Sequence, residues 1–167
     1  MEKIWRHSLA CACSARLISD KTGIGEREKL FMMGLLHDIG KVLLLKTIGA
    51  GARKSKAYDR EELIESIQEV HTSFGAALLL KWGFEKEFAD IAALHEWEKY
   101  KPDTGKEILI INLANNLARY TGYTVFDNDE IDLSALESAR LLKIEPDSLS
   151  MMTKEIKEIT GNSMYAF

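Results

Sequence analysis

The residues best suited to do chemistry in this chain are its four histidines. His37 stands in Leu35-Leu36-His37-Asp38-Ile39-Gly40-Lys41, a His-Asp doublet set in an otherwise apolar segment. His7, His71 and His95 each fall on the apolar stripe of a different predicted helix. Leu63, Ile64 and Ile67 precede His71, and Phe74, Gly75, Leu78 and Trp82 follow it, at helical intervals. His7 shares a face with Ile4, Cys11 and Ile18, and His95 with Phe88, Ile91 and Ala92. Imidazoles and a carboxylate brought together from several helices are the donor set of a divalent-metal site.

A single histidine on an apolar face is ordinarily a hydrogen-bonded core residue. Burying it without a partner costs on the order of 1–3 kcal/mol. Four such burials in one small domain make sense if the rings satisfy one another, or share a metal or a water cluster. Asp38 sharpens the expectation, because a carboxylate buried there needs a cation. That cation is either a metal or Lys41, three residues on. The catalytic candidates are Asp38 and Lys41. The candidate metal set is His7, His37, Asp38, His71 and His95.

The elements that must position these residues are helices. Strand-like alternation is nearly absent, and only Pro102 and Pro146 punctuate the chain. The spacing predicts helices at about 4–19, 26–47, 59–82, 85–98, 105–121, 132–142 and 146–160, with a break near His71 left open. Gly23-Ile24-Gly25, Trp82-Gly83 and Pro102-Asp103-Thr104-Gly105 mark boundaries, and Asp132 and Asp147 suit helix N-termini. Gly49 to Lys56 reads as the clearest loop, solvated and locally basic. Gly34 and Gly40 cost about 1 kcal/mol each in helix propensity relative to Ala, and make sense where helices or a ligand approach closely. The expected fold class is all-α: a compact bundle of about 6–8 helices, with residues 1–167 as one domain.

Bulk properties narrow the function. The chain has 167 residues, 46% of them hydrophobic, and a net charge of 22 − 26 = −4. An acidic balance argues against direct nucleic-acid binding, which needs a basic face. It leaves room for a small phosphate-bearing ligand. No apolar run approaches the ~18 residues of a membrane span, and Glu2, Lys3 and Arg6 interrupt any leader-like segment, so a cytoplasmic location is expected. Cys11 and Cys13 lie two apart on a helix, where their side chains diverge and cannot pair.

Taken as blocks, these residues resemble the HD superfamily and, within it, the HDOD domain, a regulatory relative of the HD-GYP cyclic-dinucleotide phosphodiesterases. The blocks are Ile4-Trp5-Arg6-His7-Ser8, Gly34 to Lys41, Glu69-Val70-His71-Thr72-Ser73-Phe74-Gly75-Ala76 with Leu78 to Gly83, Ile91 to His95, and Leu113 to Ala118. The Trp-x-His-Ser entry and the Trp-Gly pair favour HDOD over the catalytic HD enzymes. The resemblance covers about 4–122, and 123–167 reads as a C-terminal helical extension.

The resemblance implies an HD-type helical bundle and a His…His-Asp…Asp metal set, and this chain departs from that pattern. The final aspartate falls at Asn115, so that ligand position is degenerate. The second histidine of the usual His-His pair is Glu96, which is left open as a further ligand although a helical neighbour of His95 points about 100° away. The helical segment that precedes Trp-x-His-Ser in a full HDOD domain is missing, so the chain reads as the HD-like half or as a fragment.

The leading expectation is therefore an HDOD-like signalling domain that binds a signalling protein or a small phosphate-containing ligand without turnover, homodimerisation being left open. It would carry one divalent ion (iron, zinc, nickel or manganese) or a metal-free His/Asp/Asn network. The alternative is a metal-dependent phosphohydrolase acting on a nucleotide or cyclic dinucleotide.

Overall fold

The computed structural model describes residues 1–52, 59–126 and 131–163. Among them are eight α-helices, one 3₁₀ turn and no strand. The helices are α1 (Glu2–Thr22), α2 (Arg27–Leu36), α3 (Ile39–Ala52), α4 (Arg60–Lys81), α5 (Lys86–Leu94), α6 (Lys106–Tyr120), α7 (Glu137–Leu141) and α8 (Pro146–Ser163), with the 3₁₀ turn at Leu133–Ala135. The all-α expectation is met. No described helix is long and apolar enough to cross a membrane.

The apolar pattern explains the layering. Every residue of α6 from Leu109 to Ala118 is buried, so this helix is the centre of the fold. It packs against α1, α2, α5, α7 and α8. Ile18 of α1, Leu30 and Met33 of α2, Ile91 of α5, Leu149, Met152 and Ile156 of α8 and Leu133 close on it as one core. Burial of such side chains contributes roughly 1.5–3 kcal/mol each. Residues beyond 123 thus share their core with α1 and α6. Helices α3 and α4 pack on each other, and α4 is tied to the rest through α5.

Several boundaries differ from the sequence reading. The predicted helix 26–47 is two helices, α2 and α3, joined through His37 and Asp38. No proline or glycine sits at that joint. Tertiary packing creates it, with Gly34 and Gly40 on either side making the two closest approaches. A Cβ on Gly34 would stand 2.7 Å from Ala12 Cα, and one on Gly40 would stand 2.0 Å from the His71 carbonyl oxygen. Those two glycines let α2 lie on α1 and α3 lie on α4. Helix α4 runs unbroken through His71, capped by Asp59, whose carboxylate accepts from the Glu61 amide. The proposed loop is helical from Gly49 to Ala52, and Arg53 to Lys56 fall outside the described residues. The predicted helix 132–142 divides into the 3₁₀ turn, capped by Asp132, and α7. Cys11 and Cys13 are free and buried.

Candidate metal centre

Four helices deliver the histidines to one point. His7 comes from α1, His37 from the α2–α3 joint, His71 from the middle of α4, and His95 from the C-terminal cap of α5. All four are buried, as are Asp38 and Lys41. Neighbouring rings nearly touch: His7–His37, His37–His95 and His71–His95 centroids lie 5.2, 4.8 and 5.7 Å apart.

Every ring is held the same way. The Nδ1 atoms of His7, His37 and His95 donate to the carbonyls of Tyr123, Gly34 and Ala92 at 2.8, 2.6 and 3.0 Å. His71 Nδ1 donates to the carbonyls of Ile67 and Gln68 at 3.1 and 2.8 Å. These bonds assign the proton of each neutral ring to Nδ1 and leave the Nε2 lone pair facing inward. Metal-ligating histidines are oriented by such backbone acceptors.

Asp38 stands at the centre of the four Nε2 atoms. Its Oδ2 lies 3.6 Å from both His7 and His37, and its Oδ1 lies 3.6 Å from His71 and 3.3 Å from His95. Lys41 Nζ sits 3.1 Å from Asp38 Oδ1 and 2.6 Å from Glu96 Oε1. Glu96 in turn approaches His71 Nε2 at 3.4 Å. Two groups of donor atoms result, each compact enough for one ion: His7, His37 and Asp38, and Asp38, His71, His95 and Glu96. Asp38 belongs to both.

Glu96 corrects the sequence reading. Helix α5 ends at Leu94, so the residues after it turn away from the helical path and the 100° rule does not govern Glu96. Asn112 fixes that turn, donating from Nδ2 to the carbonyls of His95 and Trp97 at 2.8 and 3.1 Å. Neither Asn112 nor the Tyr123 carbonyl was singled out from the sequence. A long-range bond to a backbone carbonyl leaves no trace in residue type or spacing.

The electrostatics follow from burial. Desolvation pushes His7 below its usual value and His37 down to about 3, so both rings are neutral and available as donors. Burial opposes the ionised form of Asp38, but Lys41 and the neighbouring imidazoles outweigh it and hold the carboxyl well below the usual range. Burial likewise opposes the charge on Lys41, and Asp38 and Glu96 reverse the effect and raise it. Burial also opposes ionisation of Glu96, and His71 and Lys41 hold it low. Two carboxylates thus share one ammonium.

This arrangement fits a divalent cation. Asp38 Oδ2 and the Nε2 atoms of His71 and His95 are buried without a hydrogen-bond partner, and Asp38 Oδ1 faces Lys41 Nζ at 3.1 Å. The Nε2 atoms of His7 and His37 face each other at 3.2 Å, although both Nδ1 protons are already committed. Two nitrogens bound at about 2.1 Å to one tetrahedral or octahedral ion stand roughly 3.0–3.4 Å apart. Opposed lone pairs that repel in isolation become two ligands of one ion.

A cavity of about 180 Å³ opens beside the cage. His7, Lys41, Glu96, Asn115 and Arg119 line it, with Gln68 and residues 124–126. Asn115, on α6, is buried at the edge of this cavity and brings a neutral amide to it. The structure therefore brings together every candidate site residue named from the sequence, and places Glu96 with them.

The sequence model of the HDOD domain matches residues 1–97, more than half of the chain. That span carries His7, His37, Asp38, Lys41, His71, His95 and Glu96. Among solved structures, the fold is similar to that of a "Putative phosphohydrolase" from Shewanella amazonensis SB2B, with a TM-score of 0.63 at 19% identity. The alignment covers 96% of this chain and 60% of that one, so the chain spans well under two thirds of that protein. No match is found among curated proteins. With the family pattern present from the Trp-x-His-Ser block to the turn after His95, the chain belongs to the HDOD domain family.

Proposed function

We propose that this chain is a regulatory HDOD domain that holds a divalent metal ion in its histidine cage and acts by binding rather than by turnover. His7, His37 and Asp38 would hold the ion, with His71 or His95 as further ligands. An imidazole-rich set with one central carboxylate suits iron, zinc, nickel or manganese better than magnesium, which prefers oxygen donors. When bound, such an ion supplies a Lewis acid and a template for an anionic group. The residues around it do the rest. The Nδ1–carbonyl bonds aim the rings, Lys41 balances Asp38, and the cage excludes bulk water.

The observation that carries the non-enzymatic reading is the wall formed by α6. Where the family pattern sets a last carboxylate, Asn115 brings no charge to the cavity. The cavity itself, about 180 Å³, is smaller than the ~300–1,000 Å³ of ordinary ligand pockets. It suits a phosphate-sized group or an interacting side chain. The expected partner is a signalling protein or a small phosphate-containing ligand, in a cytoplasmic pathway.

A second reading is supported by the intact cage: metal-dependent phosphohydrolysis of a nucleotide or cyclic dinucleotide. Elemental analysis of the purified protein, followed by assays on phosphomonoesters and cyclic dinucleotides with manganese, separates the two. Bound metal with at most trace hydrolysis supports the regulatory reading. Turnover above roughly 1 s⁻¹, the low end of ordinary enzyme rates, supports the enzyme.

A further inference from the structure

The donor atoms form two groups that share Asp38, yet the two groups differ in one respect. Around His7 and His37, Asp38 Oδ2 has no cation near it other than what the imidazoles could carry. Around His71 and His95, Asp38 Oδ1 and Glu96 Oε1 both face the Lys41 ammonium, at 3.1 and 2.6 Å, which leaves Glu96 Oε2, 3.4 Å from His71 Nε2, as the carboxylate oxygen there that Lys41 does not hold. We infer that Lys41 is the resident cation of the second donor group, so that the cage takes one divalent ion, on the His7–His37 side, where its ligand geometry offers two positions. This inference rests on the metal reading above.

Three features make Lys41 a fixture rather than a passing contact. Its side chain is only 8% exposed, at the edge of the small cavity beside the cage. Its attachment three residues after Asp38, on the first turn of α3, keeps it over Oδ1. Glu96 then pins it from the opposite side, and Asn112 holds the turn that carries Glu96. A divalent ion seated between Asp38 Oδ1 and Glu96 would lie against an ammonium that both carboxylates hold, and like charges at contact in a poorly solvated site repel strongly. The carboxylate at position 96 is thus matched to Lys41. A neutral imidazole there would leave the lysine with half of its counter-charge.

The test is metal stoichiometry, read without any activity assay. Wild type, Lys41→Met and Lys41→Arg are dialysed against manganese and analysed for bound metal. The paramagnetic resonance spectrum then distinguishes isolated ions from coupled pairs. Wild type and Lys41→Arg are expected to hold one ion per chain with the spectrum of an isolated centre. Lys41→Met is expected to hold two, with a dipole-coupled pair. If Lys41→Met does not fold alone, it is refolded with manganese present, where two divalent ions replace the missing charge. A variant that still fails to fold, or that folds with one ion, overturns the inference. So does wild type or Lys41→Arg holding two. Metal absent from every protein overturns the underlying metal reading and this inference with it, whereas one ion in all three overturns the inference alone.

Discussion

Asp38 lies at the centre of the cage and Asn115 at the edge of the cavity beside it, both almost wholly buried, and the fold treats them in opposite ways. Asp38 sits at a break between two helices and is ringed by four imidazoles and an ammonium. Asn115 sits in the middle of the most buried helix of the protein, with Asn112 and Asn116 beside it. The amides of those two neighbours are spent on backbone carbonyls, at His95, Trp97 and Asn112. An anion is tolerated where a cage of donors surrounds it, and the wall built from the core helix, Asn115 and Arg119, brings no anion to the cavity. The charge that could bind a cation thus comes from the segment shared with the family, residues 1–97, and α6 contributes scaffolding.

The largest effect should come from removing the anion. Asp38→Asn keeps the shape and deletes the charge, which leaves Lys41 buried against Glu96 alone and takes the shared ligand from both donor groups. Breaking a buried pair in this way costs about 3–5 kcal/mol. Denaturant titration should show that loss, and thermal melts should show no upward shift on adding manganese. A full manganese-induced shift in the variant would mean that Asp38 is not the centre of the site.

Next comes the crossing that delivers His71. Gly40→Ala places a methyl 2.0 Å from the His71 carbonyl, so α3 and α4 must separate. Overpacking of this kind costs roughly 1–3 kcal/mol, occasionally more. Metal affinity should fall along with stability, because the same shift withdraws His71 from Asp38. Gly34→Ala acts on the α1–α2 crossing instead and should move His7 relative to His37. Unchanged melting of both variants would show the crossings to be less tight than described.

On the α6 wall, Asn112→Ala removes both bonds that hold the His95–Trp97 turn. Leaving buried carbonyls unpaired costs about 1–3 kcal/mol. The account expects that loss with little change in whether metal binds at His7 and His37. Loss of all bound metal would give α6 a ligand-holding role that the comparison denies it.

Asn115→Asp should show the smallest net effect and the most telling sign. With chelator present, a third carboxylate beside Asp38 and Glu96 should destabilise the protein by roughly 1–2 kcal/mol through repulsion and desolvation. With manganese present the same carboxylate should stabilise it by a similar amount. Thermal melts of both proteins under both conditions read the reversal. An equal metal-induced shift in wild type and variant would show that Asn115 does not face the ion.

Much of this was legible before any coordinates. Histidines at helical intervals within apolar stripes have to be buried, and buried imidazoles have to find partners, which is why His7, His37, His71 and His95 meet. Three features were not legible. The break at His37-Asp38 carries no breaker residue, because packing at Gly34 and Gly40 imposes it. The turn at Glu96 carries no glycine or proline, because Asn112, sixteen positions later, ties it down. The basic stretch after Gly49 has a loop-like composition, yet its start continues α3, where Ala50 and Ala52 favour helix and offset the cost of Gly49 and Gly51.

The central claim is that four imidazoles around Asp38 form a cation site. Elemental analysis of wild type beside His37→Ala tests it most directly. His37 contributes an Nε2 that faces both His7 and Asp38, so its loss dismantles the site that the two share. The account predicts a transition metal in wild type, near one ion per chain, and none retained by His37→Ala. Equal metal content in the two proteins, or none in wild type after loading with manganese, zinc and iron, would contradict it.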